Sequence, residues 1–303
     1  MVRRQRYDVN AAQCVFLDEF RGKDDAPLPL IVRKSDGGYL YATTDLAAVR
    51  YRQGTLKSER ALYVVDKRQA LHFRQVFAVA RAAGFAPESL SLEHLAFGTM
   101  LGEDGRPFRT RAGDVVKLAD LLDEAEERAF ILVSEKNPDL DEAERREIAR
   151  VVGIGAVKYA DLSKNRTSDY VFSWDAMLSF DGNTAPYLQY ACSRIRSLFR
   201  RAEIDRETFS GVPSIAAPAE RALALQLIRL PETLEQVAAN GQPHLLCAHL
   251  YEIAVGFMTF YEQCPVLSAE ADLRDARLAL ARQAGLALEK GQELLGIGIL
   301  ERM

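Results

Sequence analysis

A chain of 303 residues with 48% hydrophobic and 9% aromatic side chains has enough apolar mass to bury a core. Its length suits about two domains, which excludes a disordered or low-complexity protein. The formal net charge of −4 excludes a globally basic nucleic-acid binder, while leaving room for a local basic patch. Cys14, Cys192, Cys247 and Cys264 form no CxxC pair, and His72, His94, His244 and His249 show no metal-ligand spacing. These read as reduced thiols and structural histidines of a cytosolic protein, with no zinc site and no disulfide framework. No signal peptide and no apolar run approaching a membrane span is visible, so the expected compartment is the cytoplasm.

Met1–Gln13 is polar and basic and is expected to be loosely ordered. Val15–Leu17 and Leu28–Arg33 read as strands joined by a polar, turn-rich stretch. Asp36-Gly37-Gly38 is turn chemistry, because glycine takes up positive φ without steric cost. Tyr39–Ala42 then reads as a strand that suits an antiparallel pair around that turn. Thr43, Thr44 and Asp45 supply N-cap side chains for a helix whose first turns are Leu46–Val49. Tyr41 and Asp45 lie four apart and share a face if the helix has begun by then. A phenol beside a carboxylate suits a guanidinium or ammonium group, although a strand tyrosine and a capping aspartate with no ligand fit the same pattern.

Ala61–Val65 is a short apolar run between polar flanks, predicted to be a buried parallel strand. A helix over about 69–83 and a strand over 90–97 complete a βαβ rhythm, which indicates a doubly wound α/β sheet. Gln69 and His72 open the helix after a strand, where side chains face the crevice at the end of a parallel sheet. Gly98–Gly113 is a flexible hairpin with four glycines and the cluster Arg106, Arg109 and Arg111. A bare arginine cluster on a glycine-rich loop reads most plainly as a solvated turn, although arginine can also give bidentate contacts to phosphate.

Long amphipathic helices are predicted over 117–136 and 141–163, the second holding Gly153-Ile154-Gly155-Ala156, which permits close packing. Trp174, the only tryptophan, reads as a core anchor. Thr184-Ala185-Pro186 is a helix start, with threonine as cap and proline in the first turn. Helices over about 185–201, 217–240, 244–263 and 269–295 follow, the second, third and fourth separated by Gly241-Gln242-Pro243 and Cys264-Pro265; these make an α-helical bundle.

Several of these stretches occur together in one known family. KSDGGYLYATTDLAAVRYR, ALYVVDKRQALHFRQVF, HLAFGTMLGEDGRPFRTRAGDVVKLADLLDEA, GIGAVKYADLSKNRTSDYVFSWDAMLSFDGNTAPYLQYACSRIRSLFR, FYEQCPVL and the terminal ERM resemble, in order, bacterial arginyl-tRNA synthetase. The resemblance runs from about Val15 to Met303, while the family's His-x-Gly-His signature occurs nowhere in the chain. It implies an α/β plus all-α protein: the second half of a Rossmann-type class I catalytic domain over 1–183, then a helical anticodon-binding domain over 184–303.

What the resemblance implies for sites is specific. Tyr41, Asp45 and Gln69 match the positions that hold the side chain of L-arginine. His72, His94, Phe97 and Met100 fall in the nucleotide-binding part. The segment Pro107–Gly113 occupies the place of the mobile KMSKS loop but has neither signature lysine, leaving Arg109 and Arg111 for the ATP phosphates. Tyr187, Arg194, Tyr251, Tyr261 and Met303 fall on the surface expected to meet the anticodon of arginine tRNA, by stacking and phosphate contact. ATP is implied as a substrate, accompanied by Mg2+, with no tightly bound cofactor and no resident metal. The expected activity is that of an arginine–tRNA ligase acting as a monomer without membrane contact, and the chain by itself is expected to be incompetent for arginine activation. The alternative is a non-catalytic tRNA-binding module or a split-protein subunit.

Overall fold

The computed structural model describes residues 8–9, 12–108 and 117–303. The chain divides into two compact units, Met1–Gly98 and Thr99–Met303.

In the first unit, β1 (Asp8–Val9), β2 (Ala12–Val15) and β3 (Leu30–Arg33) form an antiparallel sheet in that order, with Cys14 opposite Ile31 and Val15 opposite Leu30. Ala12 and Gln13, expected in a loosely ordered leader, are therefore strand residues, and the strand expected at Val15–Leu17 lies earlier. The Asp36-Gly37-Gly38 turn is present. Lys34 N–H donates to the Gly38 carbonyl at 2.8 Å, Asp36 Oδ1 accepts from Gly38 N–H at 2.8 Å, and Gly37 sits at φ +84°.

The expected hairpin across that turn does not form, because the partner of β3 is β2 and the chain enters a helix directly. This helix, α1 (Tyr41–Gly54), starts on Leu40 with no side-chain cap. Thr43 and Thr44 lie inside its first turn. The Thr43 hydroxyl donates to the Val32 carbonyl and pins the helix to β3, while the Thr44 hydroxyl donates to the Tyr41 carbonyl at 2.8 Å. That tertiary bond, with Leu46 and Val49 buried, replaces the capping expected of the threonines and Asp45.

Next come β4 (Arg60–Asp66), a 3-10 turn at Lys67–Gln69, α2 (Ala70–Ala82) and β5 (Ser91–Phe97). β4 and β5 pair in parallel from Arg60 opposite Ser91 to Asp66 opposite Phe97, as a βαβ unit requires. β4 is buried on one face only: Ala61 and Tyr63 point into the core, while Leu62 is 46% and Val64 65% exposed. The expected fully buried strand is thus a half-buried one. The core of this unit is Val49, Val76, Ala80 and Leu90, with Tyr63 against Phe73 and Phe77.

The second unit opens on β6 (Met100–Leu101), which closes a short hairpin through Gly102 N–H to the Arg106 carbonyl at 2.7 Å and Phe108 N–H to the Met100 carbonyl at 3.0 Å. Two long helices follow, α3 (Leu118–Lys136) and α4 (Glu142–Leu162), the second capped by Asp141, whose carboxylate accepts from Glu144 N–H at 2.8 Å. They approach closely at Gly153, where a Cβ would lie 2.6 Å from the Ala125 carbonyl oxygen. β7 (Tyr170–Val171) pairs in parallel with β6, and α5 (Trp174–Met177) stacks Trp174 edge-on to Phe172 at 4.9 Å.

The bundle consists of α6 (Ala185–Ala202), α7 (Pro218–Asn240), α8 (Pro243–Gln263) and α9 (Ala271–Leu294). Thr184 caps α6 as predicted, its hydroxyl accepting from Tyr187 N–H at 3.3 Å, and Gly241 at φ +60° ends α7. The bundle core contains Leu188, Ile195, Leu250, Ile253, Phe257, Phe260, Leu278 and Leu288, all fully buried. Tyr159 of α4 reaches into it and donates its hydroxyl to the Cys247 carbonyl of α8 at 2.8 Å.

Candidate functional site

The first candidate site lies on α1 and α2, beside the carboxyl ends of the parallel strands where α/β folds bind ligands. α1 has begun by Tyr41, so Tyr41 and Asp45 share a face one turn apart. Tyr41 is 86% exposed, a large ring with no core to serve. Asp45 is partly buried, and its Oδ2 lies 2.7 Å from Nε2 of His72 on α2. Gln69 ends the 3-10 turn with an exposed side chain. Asp66, at the end of β4, accepts two hydrogen bonds from the Arg68 guanidinium and one from its backbone N–H, which holds its carboxyl down at about 2.

His94 sits on β5 with Nε2 3.0 Å from the Val65 carbonyl, and its ring lies 5.0 Å from Phe73. A carbonyl only accepts, so this nitrogen carries the hydrogen. Phe97 is exposed at the end of β5. Met100 belongs to the other unit, half-buried against the α3–α4 core. Arg109 and Arg111 lie outside the described residues.

The second candidate site is on the bundle. The rings of Tyr187 on α6 and Tyr251 on α8 are 5.5 Å apart. The Arg194 guanidinium lies 5.3 Å from the Tyr190 ring centre and 5.2 Å from that of Tyr261. Burial is the largest cause pushing the Tyr187 phenol up. All five side chains are half-buried, so each leaves part of a ring or guanidinium open to solvent. Met303 is elsewhere, packed against the α3–α4 core.

Tyr190 was not among the expected contacts. Its spacing was the available signal, since it lies four before Arg194 and three after Tyr187 on one helix. The basic side of α6 is partly internal. Arg196 pairs with Glu289 at 2.9 Å and with Glu301, and Arg200 donates to the Glu301 carbonyl at 3.2 Å.

Among the described residues, no three His, Cys, Asp or Glu side chains converge to hold a metal, and no helix is long and apolar enough to cross a membrane. All four cysteines are free and buried.

A parallel βαβ unit with polar side chains at its strand ends, followed by a long helix pair and a helical bundle, has the organisation of a class I tRNA synthetase. Residues 5–174 match the family model for the class I (R) tRNA synthetase catalytic domain, and 188–303 match the DALR anticodon binding domain. The chain is 60% identical over 293 residues to the arginine–tRNA ligase of Alcanivorax borkumensis, covering 96% of this chain and 50% of that one. It is also 60% identical over 295 residues to that of Pseudomonas fluorescens, covering 97% and 51%. Among solved structures, the arginyl-tRNA synthetase of Plasmodium falciparum superposes with a TM-score of 0.83 at 30% identity, over 98% of this chain and 50% of that one. The Thermus thermophilus arginyl-tRNA synthetase does so with 0.80 at 30% identity, over 99% and 55%. The chain belongs to the arginyl-tRNA synthetase family. It spans about half the length of the curated relatives it matches.

Proposed function

We propose that this chain carries the arginine-recognition and anticodon-recognition parts of an arginine–tRNA ligase. In that reaction a carboxylate oxygen of arginine attacks the ATP α-phosphate, expelling pyrophosphate and forming arginyl-adenylate. A ribose hydroxyl of the tRNA then takes the aminoacyl group, and AMP leaves. No covalent enzyme nucleophile is needed, so the work is positioning and charge stabilisation. The single observation that carries the reading is the exposed Tyr41 one helical turn from Asp45, a phenol and a carboxylate on one face.

Asp45 takes the guanidinium, with Tyr41 and Gln69 beside it. His94 and Phe97 flank the nucleotide, and Arg109 and Arg111 take the phosphates, with Mg2+ arriving on the ATP. The catalytic part is residues 1–183 and the anticodon part 184–303, supported by family matches that end at 174 and resume at 188. The compartment is the cytoplasm, which suits four free thiols, and the working state is a monomer.

Isothermal titration of L-arginine into the chain tests the first site. Asp45→Asn keeps the shape and removes the charge, so affinity should fall by about 1.5–3 kcal/mol, roughly 10- to 150-fold. Unchanged affinity would remove Asp45 from the site.

On the bundle, Tyr187, Tyr190, Tyr251 and Tyr261 offer ring faces for unpaired bases, and Arg194 meets phosphate; Met303, packed against α3–α4, is not part of this surface. Stacking contributes about 1–3 kcal/mol per base, so Tyr251→Ala should weaken binding of arginine tRNA at least fivefold. The comparison is made with a non-cognate tRNA at two salt concentrations. Equal affinities that both vanish with salt would mean phosphate contact alone, and the anticodon assignment would fall.

A further inference from the structure

We infer that His72 is a positioning residue: it holds Oδ2 of Asp45 and so fixes the plane in which the carboxylate is presented to a cationic side chain. The inference rests on the reading of Asp45 as the guanidinium receptor. The two residues are 27 apart in sequence and on different helices, yet His72 Nε2 lies 2.7 Å from Asp45 Oδ2. Both side chains are 29% exposed, so the pair is reachable by a ligand without being fully solvated.

The imidazole is the fixed member of the pair. Its ring stands edge-on to Phe73, with centroids 5.1 Å apart and planes at 79°. Phe73 is itself buried among Tyr63, Phe77 and His94, at 5.1, 5.8 and 5.0 Å. The imidazole is backed by that aromatic wall, whereas the carboxylate of Asp45, terminal to a soft last torsion, would turn if nothing held it. Donation from Nε2–H to Oδ2 therefore does two things: it sets the imidazole tautomer, and it stops the carboxylate turning.

The chemical consequence concerns how a guanidinium is read. A free carboxylate takes a guanidinium in a two-point fork. With one lone pair of Oδ2 held by His72, the carboxylate plane is fixed and its remaining lone pairs meet, from one direction, a guanidinium whose outer N–H groups are left for other acceptors. Tyr41, one turn away on the same face, is the group placed to receive one. His72 thus acts through Asp45.

The test uses the 303-residue chain labelled with 15N-histidine. A long-range 15N–1H spectrum should show His72 with its hydrogen on Nε2, and Asp45→Ala should shift that Nε2 resonance. A hydrogen on Nδ1 alone, or an Nε2 resonance that Asp45→Ala leaves unmoved, overturns the inference without any ligand being added. L-arginine is then titrated by calorimetry. His72→Ala should weaken binding about tenfold. His72→Gln, whose amide nitrogen reaches a similar point, should stay within about threefold of the unmodified chain. A purely structural role would instead lower the unfolding temperature of both variants and leave the Gln variant no better than the Ala variant. Equal arginine affinity in the unmodified chain and His72→Ala overturns the inference alone. Failure of the unmodified chain to bind arginine overturns the reading of Asp45, and the positioning role with it.

Discussion

Glu289→Ala is expected to lower the stability of the helical unit by about 3–5 kcal/mol, measured by urea denaturation followed by circular dichroism. Glu289 lies on α9 with a side chain only 11% exposed, and it accepts from Arg206 at 2.5 and 3.0 Å and from Arg196 at 2.9 Å. Removing the carboxylate leaves two largely buried guanidiniums, one of which keeps Glu207 and the other Glu301, both on the exposed rim. The penalty comes from the stranded charge, so a loss below about 1 kcal/mol would show that solvent reaches both arginines.

The same carboxylate makes the bundle acid-sensitive. Burial by itself raises the Glu289 carboxyl, but hydrogen bonds from Arg206 and Arg196 outweigh it and hold the group below its ordinary value. A carboxylate depressed in the folded state contributes stability that is complete above the unfolded value of about 4.3 and is lost as pH falls below it. Glu220 adds to this. It is fully buried, paired with Arg277 at 2.7 Å and bonded to Ala216 and Ala217 N–H, and its carboxyl is likewise held low against burial. Stability should therefore drop between about pH 5 and 3, and less steeply in Glu289→Ala.

Gly153→Val is expected to cost about 3 kcal/mol, at the upper end of what overpacking does. Helix propensity alone points the other way, since leaving glycine in a helix interior costs up to about 1 kcal/mol. The clash decides the sign. A Cβ at this position would meet Ala125 O at 2.6 Å, Ala125 C at 2.7 Å and Glu126 N at 2.8 Å, all backbone atoms that no rotamer change can move. α3 and α4 would have to separate along the contact that buries Ala125, Ala129, Val152 and Ala156. Thermal unfolding of Gly153→Ala beside Gly153→Val checks the argument, and stabilisation of the alanine variant would refute it.

Helix boundaries in the second unit were legible because their signals are local. Asp141 and Thr184 cap where an oxygen-bearing side chain precedes an apolar repeat, and Gly241 ends a helix where only a left-handed residue fits. The small run at 153–156 announced a close helix contact, although not which helix would meet it. The βαβ unit was legible from two apolar runs around an amphipathic segment, and its parallel pairing followed from the crossover. Tyr41 and Asp45 were legible as a pair only on condition that the helix had begun by Tyr41, a residue whose sequence pattern reads as strand and where α1 in fact starts.

Other features depended on distant partners. Thr43 and Thr44 carry cap chemistry in the sequence, but the bond from Thr43 to Val32 pulled the helix start back to Tyr41. The apolar run of β4 reads as buried on both faces, and only the placement of α1 and α2 on one side shows that Leu62 and Val64 remain outside. His72 meets Asp45 across 27 residues, and Arg196 meets Glu289 across 93.

Composition, spacing and cap residues by themselves determined the order and type of most of the long elements and which side chains are chemically suited to a guanidinium or an unpaired base, while the family was legible only through its resembling stretches. Those properties follow from nearest-neighbour sterics and from the 3.6- and 2-residue periods, which act within a few residues. The tertiary structure alone decided which oxygen of Asp45 His72 holds, which arginines of α6 are neutralised inside the bundle, and that Met303 packs against α3–α4 apart from the tyrosines. Each of those outcomes depends on where two remote backbone segments come to lie within a few ångströms. Hydrogen bonds and ion pairs are short-ranged and directional, so no pattern along the chain encodes them before the helices are packed.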